Sequence, residues 1–254
     1  MAVTLANSSW TPRALEVLNC ACDHYGGFAT WRALRMIRLF PERLSGLLPW
    51  LKGYGHTFTF RGAFEIRPRQ RWARFVDYPD PDHVGIFDDG AVRIQDRETD
   101  QTVLKADNHR ASFRGLAANR RWSPLDALYF FGYALTHYHS LPFTLFDGRL
   151  IESHESGTRS NRLHVLDVEL PVDLPTHCRR QRFYFDQIGR LVRHDYYSEI
   201  VGFWARGAHF WKRQVMVEGF PISLERHVFG RLGTTVWPLT ALHATFLGAE
   251  IELE

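Results

Sequence analysis

Two histidines flank a tyrosine at the end of a long aromatic segment. The segment WSPLDALYFFGYALTHYHSLPFTLF contains His137, Tyr138 and His139. Histidine titrates near neutral pH, so an imidazole beside a substrate can donate or accept a proton. On a strand both rings would face one metal ion, but on a helix they diverge by about 200°, which is poor chelation geometry. Two interpretations remain, hydrogen-bonded core residues and acid/base catalysis. The working prediction is a catalytic role for all three residues and no metal.

A second cluster lies in the segment RLVRHDYYSE. Strand alternation places Arg193 and Asp195 on one face, with His194 and Tyr196 on the other. An inward Asp195 would pair with an arginine or orient a histidine as a catalytic carboxylate does. The alternative is a cross-strand ion pair beside an aromatic ladder. We predict catalysis by His194 and Asp195, and ligand contacts from Arg193 and Tyr196.

A third cluster is the segment FWARGAHFW, which glycines allow to bend where a strand begins. A bend of this kind would let Arg206 and His209 reach an anionic or carbonyl oxygen of a ligand. Trp204 and Trp211 would then form apolar walls. All four are predicted ligand-binding residues, and simple packing is the alternative explanation for the tryptophans.

The first cluster needs a helix to position it. Ser123 can cap that helix and Pro142 ends it, so the sequence predicts a helix over about 124–141. The helix is apolar on all sides, which is typical of a helix buried in a core or against a large ligand. Phe130 and Tyr133 would line such a site, and we predict that both contact the ligand.

The other two clusters need strands. An N-terminal helix over about 12–25 precedes a loop at 41–55, and from residue 56 the chain shows period-two alternation with hairpin signals. About ten strands and two main helices, with no linker rich in Gly, Ser or Pro, favour one domain over 1–254. The predicted fold is mainly β (α+β), a large curved antiparallel sheet or half-barrel with helices covering its concave face.

Composition limits the possible partners. The chain of 254 residues is 45% hydrophobic and 14% aromatic, with a formal charge of only +3. Its basic residues alternate along strands, which is typical of a solvated face, so we expect no nucleic acid. No apolar run reaches the ~18 residues of a membrane helix, and no export signal is evident, so we expect a cytoplasmic protein without stable membrane insertion. The motifs GxGxxG, GxxxxGK[ST], HExxH and GxSxG are absent from the sequence, and we expect no cofactor.

Three segments carry a resemblance to known proteins: HYGGFATWRALRMIRL, LYFFGYALTHYHSLPF and RFYFDQIGRLVRHDYYSEIVG. In type and order they resemble an uncharacterised bacterial protein family. The fold that this resemblance implies is similar to that of the lipoprotein-localisation carriers (LolA/LolB-like), a curved antiparallel sheet with helices plugging an apolar concavity. Fold does not fix function.

Two functional hypotheses follow for a hydrophobic or aromatic small molecule. In the first, a cofactor-independent enzyme encloses the molecule and cyclises, isomerises or rearranges it by acid/base catalysis. In the second, the same concavity is a non-catalytic carrier or sensor of a lipid-like ligand. The ionisable residues beside the aromatic helix favour the first.

Overall fold

One antiparallel sheet dominates the computed structural model, which describes residues 9–202 and 204–254. Within them it has fourteen strands. Their bounds are β1 Leu34–Ser45, β2 Thr57–Phe58, β3 Phe64–Arg67, β4 Trp72–Val76, β5 His83–Asp88, β6 Ala91–Asp96, β7 Thr102–Ala106, β8 Arg149–Ser156, β9 Leu163–Glu169, β10 Arg180–Phe185, β11 Leu191–Tyr197, β12 Arg206–Val217, β13 Phe220–Leu232 and β14 Thr235–Leu253. The start of the chain, on which the expectation about export rests, lies outside the described residues, as does Phe203 of the third cluster.

The strand order makes an open sheet. It runs β7-β6-β5-β4-β3-β1-β14-β13-β12-β11-β10-β9-β8, with β2 paired to β1 alone. Two meanders therefore meet where β1 pairs with β14, near the two ends of the described chain. The sheet curves without closing, and the predicted fold class is confirmed.

Two details of the sheet differ from the sequence prediction. There are fourteen strands rather than about ten. Two of the alternating segments each contain a pair of strands, β2 with β3 and β5 with β6. The loop predicted at 41–55 is also shorter, since β1 continues to Ser45 along β14. Pro41 lies at a register shift in that ladder. An irregular position tolerates the missing N–H of proline, so the strand is not interrupted.

Four α-helices accompany the sheet in the described chain: α1 Pro12–His24, α2 Gly27–Ala33, α3 Leu47–Leu51 and α4 Pro124–Ser140. Helix α4 begins with a capping box, in which the Ser123 hydroxyl accepts from the Asp126 amide and the Asp126 carboxylate accepts from the Ser123 amide. Every residue from Asp126 to Ser140 is buried. The helix packs against β4, β5 and β6 and fills the concave side of the sheet.

Helix α4 lies close against the sheet at Gly132. A Cβ at this position would overlap the Cβ and Cγ of Phe87 in β5. Alanine favours helix by about 1 kcal/mol over glycine, yet overpacking typically costs about 1–3 kcal/mol. The overlap is with the base of a fully buried ring, so its cost falls in the upper part of that range. We therefore expect Gly132→Ala to lower the free energy of unfolding by about 1–2 kcal/mol in chemical denaturation.

A matched control for this variant is Gly248→Ala in β14. A Cβ there meets no heavy atom within 4 Å, so the free energy of unfolding should be unchanged or slightly higher. Equal stability of wild type and Gly132→Ala would contradict the close packing of α4 on β5.

Candidate functional site

Strands β8–β14 make up the second of the two meanders. Its concave face carries a cluster of aromatic rings and ionisable groups. Residues of one alternation phase on β11, β12 and β13 point toward α4. Tyr138 of α4 is central to this cluster, with its ring centroid 6.0 Å from that of His194, 4.8 Å from His209 and 5.6 Å from Trp211. The structure thus brings together eight residues predicted for the site: Phe130, Tyr133, His137, Tyr138, His194, Tyr196, His209 and Trp211.

His177 joins the tyrosines of this cluster. Its Nδ1 lies 2.8 Å from the Tyr133 hydroxyl and its Nε2 lies 2.5 Å from the Tyr138 hydroxyl. The Tyr196 ring stacks on the imidazole at 3.8 Å between centroids, and the Tyr196 hydroxyl lies 3.3 Å from that of Tyr138. Burial, together with nearby His137, His209 and Arg110, holds the pKa of His177 well below its usual value. Its ring is therefore neutral, with both nitrogens engaged by hydroxyls.

Two further histidines share one amide. The side-chain oxygen of Gln181 accepts hydrogen bonds from Nε2 of His137, at 3.2 Å, and from Nε2 of His194. These bonds place the proton of each ring on Nε2, which leaves Nδ1 as a buried acceptor with no partner among the described residues. Burial lowers the pKa of His137 to about 4 and that of His194 well below its usual value.

His139 faces a different environment. Its Nδ1 donates to the Leu135 carbonyl at 2.8 Å, so Nε2 carries the lone pair. That lone pair accepts from Nη2 of Arg226 at 2.9 Å. Burial and the adjacent guanidinium keep the pKa of His139 well below its usual range. Both ring nitrogens are therefore occupied, and the ring has no site from which to exchange a proton with a ligand.

Arg226 on β13 is a buried cation among aromatic rings. Its guanidinium carbon lies 5.1 Å from the Tyr138 ring centroid, 4.7 Å from Trp211 and 5.9 Å from Phe246. The residue is 4% exposed, and no ion pair with a carboxylate forms within the described chain. Burial lowers the pKa of Arg226 to about 10, which leaves it charged at neutral pH.

Arg193 and Asp195 lie on the opposite, convex face of β11. Asp195 accepts two hydrogen bonds from Arg193, at 2.7 and 2.8 Å, and one from the Tyr184 hydroxyl at 3.1 Å. Arg231 lies 3.5 Å from the same carboxylate. The prediction that Asp195 orients a site histidine, and that Arg193 contacts the ligand, conflicts with this placement, because the sheet separates both residues from His194. They form an ion pair within β11, whereas the alternative considered from the sequence was an ion pair across two strands.

Trp204 and Arg206 lie at a mouth of the concavity. Trp204 is 47% exposed, and its indole nitrogen donates to Asn119 at 2.9 Å. Both residues border an outer cavity of about 230 Å³ between α3 and β11–β14. Apolar side chains form most of its lining: Leu48, Leu51, Val201, Trp237, Leu239 and Ala241.

Lys52 fixes one wall of this mouth. Its ammonium donates to the carbonyls of Ala118, at 2.7 Å, and Val201, at 2.9 Å, and it lies 5.2 Å from the Trp122 ring centroid. Burial, together with the positive charge of Arg120, lowers the pKa of Lys52 to about 8. The lysine thus holds the end of α3 against the segments before α4 and after β11.

A smaller chamber lies beside the outer cavity. Phe130, Tyr196 and Val228 line both spaces, and we call these three residues the neck. The inner chamber has a volume of about 40 Å³ and is bordered by Tyr138, His209 and Arg226, with apolar side chains elsewhere. The outer cavity is thus a largely apolar vestibule with Arg206 and Arg231 at its border, and Arg226 is the one positively charged residue that lines the inner chamber.

Sequence reasoning missed Arg226, His177 and Gln181 as residues of this cluster. For Arg226 a signal existed, since β13 has Phe220, Ile222, Leu224 and Val228 in the phase of the arginine. An arginine in the apolar phase of a strand must be buried unless the strand is irregular. Gln181 carries the same signal, because it shares its phase on β10 with Phe183 and Phe185. His177 carries none, because it precedes the strand.

Neither metal-ligating groups nor membrane-length helices are found in the described chain. Histidine, cysteine, aspartate and glutamate side chains form no cluster of three suited to a metal ion within residues 9–202 and 204–254. No helix there is long and apolar enough to cross a membrane.

Comparison with known proteins identifies the fold. The sequence matches no protein-family model and no curated protein. An outer membrane lipoprotein-sorting protein domain from Vibrio parahaemolyticus is similar in structure, with a TM-score of 0.50, 9% identity, and coverage of 93% of this chain and 91% of that chain. A DUF1329 family protein from Desulfovibrio piger has a TM-score of 0.49 at 10% identity over 95% and 94% of the two chains. A LolA superfamily protein from Nitrosomonas europaea has a TM-score of 0.48 at 6% identity, over 94% of this chain and 93% of that chain.

The chain therefore has a LolA-like fold, as the sequence resemblance predicted. At this level of identity the likeness concerns the arrangement of sheet and helices. The chemistry of the site has to be argued from its own residues.

The five buried imidazoles make stability strongly dependent on pH. Burial lowers the pKa of His137, His139, His177, His194 and His209 below the unfolded value of about 6.5. The unfolded chain therefore binds more protons, and stability is full above that pH and falls as pH drops toward the folded pKa values. Each ring contributes about 1.4 kcal/mol per pH unit, so we expect the free energy of unfolding to fall by several kcal/mol between pH 6.5 and 5.5 in guanidinium melts.

A single substitution measures the contribution of one of these rings, His209, to the pH dependence of stability. His209 has no hydrogen-bond partner among the described residues and stacks on Trp211 at 5.3 Å between centroids, so phenylalanine can replace it. His209→Phe should reduce the pH slope by about 1.4 kcal/mol per pH unit. A flat pH profile in wild type would show that these imidazoles are not held neutral.

Proposed function

We propose that the protein binds a hydrophobic small molecule in its concavity and carries it without changing it chemically. The observation that carries this proposal is the apolar outer cavity, which opens to solvent and adjoins the inner chamber on the aromatic side of α4. Ligand sites are typically apolar clefts with few polar groups, with volumes of about 300–1,000 Å³. The outer cavity and the inner chamber together are somewhat smaller, which suits a single short alkyl chain or a small ring system.

The protonation state of the histidines supports a carrier over an enzyme. An acid/base catalyst needs a pKa near the working pH and a nitrogen within reach of the substrate. Burial keeps the pKa values of His139 and His177 well below neutrality, and both nitrogens of each ring already have partners. Asp195, on the convex face, reaches neither ring. Catalysis by His139 and Asp195 therefore stays a prediction without geometric support.

The apolar cavity fits such a ligand better than three larger clefts of the described structure, of about 520, 530 and 600 Å³, whose linings carry more polar and charged side chains. The cleft of about 520 Å³ lies at the C-terminal end of α4 and is bordered by Arg32, Arg69 and Arg71 together with hydroxyl side chains. Its lining suits water and polar solutes. The mouth of the apolar cavity, by contrast, has exposed indoles at Trp204 and Trp237, 47% and 50% exposed. Exposed apolar side chains around an apolar opening are typical of an entrance for an apolar ligand.

Binding of an uncharged fluorescent probe tests the proposal. N-phenyl-1-naphthylamine should bind wild type saturably, with a blue shift and increased emission. Gly230 borders the outer cavity, and a Cβ there meets no atom closer than the Leu239 carbonyl at 4.0 Å. Gly230→Leu should therefore fill the cavity and weaken binding by about tenfold or more, the effect of losing about 1.4 kcal/mol.

The matched control is Gly248→Leu, which adds the same side chain to β14 where a Cβ has open space and borders neither cavity. It should bind the probe as wild type does. Loss of binding in both variants, or in neither, would contradict binding in the outer cavity.

Mass spectrometry of small molecules released from the purified protein separates carrier from enzyme. The proposal predicts that a released apolar molecule, added back to ligand-free protein and incubated, is recovered unchanged. Conversion to a product would contradict it and restore the catalytic hypothesis, for which His139→Ala should then abolish turnover.

A further inference from the structure

We propose that the inner chamber is a head-group site, in which Arg226 binds the carboxylate of an apolar acid whose chain extends through the neck into the outer cavity. This inference rests on the proposed function and specifies the chemical class of its ligand, a monocarboxylic acid with an alkyl or aromatic body. It assigns a ligand-binding role to Arg226 and an anion to the deepest point of the concavity.

The first argument is the hydrogen-bonding state of the guanidinium. Arg226 is 4% exposed, yet its Nε and Nη1 have no acceptor within residues 9–202 and 204–254. Its one hydrogen bond is from Nη2 to the neutral ring of His139. Buried charges in proteins are ordinarily paired and hydrogen-bonded, because desolvation is otherwise expensive. A guanidinium with unused donors beside a cavity is complementary to a carboxylate.

The second argument is the comparison with other buried ionic groups of the chain. Asp195 and Asp167 are equally buried, and each has two arginine partners. Lys52 has two carbonyl acceptors. Arg226 alone among these four is held by rings and one neutral imidazole.

The third argument is the space around the guanidinium. A cavity of about 40 Å³ borders Arg226, which is about three times the ~10–15 Å³ needed for one water, so a group larger than water can enter it. His209, with both ring nitrogens unpartnered among the described residues, and Tyr138 line the same chamber. His209 can therefore donate a second hydrogen bond to an anion.

Burial of the guanidinium before the ligand arrives should raise the affinity for an anionic ligand. The desolvation of Arg226 is already part of the folding free energy, so a ligand carboxylate meets a preorganised charge in a medium of low polarity. The neck of Phe130, Tyr196 and Val228 excludes water from this pair while the apolar chain occupies the vestibule. An uncharged molecule of the same shape lacks the charge-assisted bonds, and a cation is repelled.

Three probes that have the same alkyl chain but different head groups test the head-group site: decanoate, decan-1-ol and decylamine. Each is titrated into the full-length protein at pH 7.5 below its micelle concentration, by displacement of N-phenyl-1-naphthylamine. We expect decanoate to bind wild type about tenfold or more tighter than decan-1-ol, and decylamine to bind more weakly than either. Arg226→Gln, which keeps a donor for His139, should abolish the preference for decanoate and change decan-1-ol affinity by no more than about threefold.

Two further variants keep the result decisive. Arg38→Gln removes the same charge from the convex face of β1, where Arg38 pairs with Glu65 and Glu250, and should retain the preference. If Arg226→Gln fails to fold, Arg226→Lys serves instead, and it should retain a reduced preference because lysine keeps the charge without the planar donors.

The outcomes separate the two proposals. Equal affinity of wild type for decanoate and decan-1-ol would overturn the head-group site and leave the carrier function standing. A preference that survives unchanged in Arg226→Gln or Arg226→Lys would also overturn it. Failure of all three probes, with failure of N-phenyl-1-naphthylamine itself, would overturn the carrier function and the head-group site together.

Discussion

Burial of a helix that has no solvent face is the constraint on which the rest of the structure depends. Helix α4 has 17 residues, and fifteen of them, Asp126–Ser140, are buried. A flat sheet covers one side of a helix, so burial on all sides requires a sheet that curves around it, together with short helices and loops over the remaining side. Residue types follow from this geometry, because side chains of the concave face must be large enough to fill the space against α4. Phenylalanine, tyrosine and tryptophan provide that volume.

The polar groups inside this aromatic core differ in how fully they are hydrogen-bonded. Buried hydroxyls and imidazoles are mostly hydrogen-bonded in proteins, and the tyrosines around His177 are linked through its ring. Gln181 links His137 and His194 in the same way. Arg226 differs because its partners are ring faces and the single imidazole acceptor of His139, with no carboxylate. The core is therefore rigid where its polar groups are mutually paired, and it has free bonding capacity where the inner chamber adjoins Arg226.

Much of the fold could be predicted from the sequence, since its signals are local. The Ser123 cap and Pro142 indicate where α4 begins and ends, and period-two alternation indicates the strands. The extension of β1 past Pro41 could not be predicted, because it depends on a register shift against β14, a strand distant in sequence. The site was predictable only in part, because alternation identifies the two faces of a strand but not which face is concave. Alternation divides β11 into two faces, but both carry rings and charges, so only the curvature of the sheet determines that His194 faces α4 and Asp195 faces outward.

The central claim is that an apolar ligand occupies the space between the outer cavity and α4, and anomalous diffraction tests it most directly. A crystal of the protein with 1-bromodecane would give a bromine peak at the ligand. We predict that peak in the outer cavity or the neck, in contact with Phe130 or Val228. A bromine peak only in the arginine-lined cleft at the C-terminal end of α4, or on the convex face, would contradict the account.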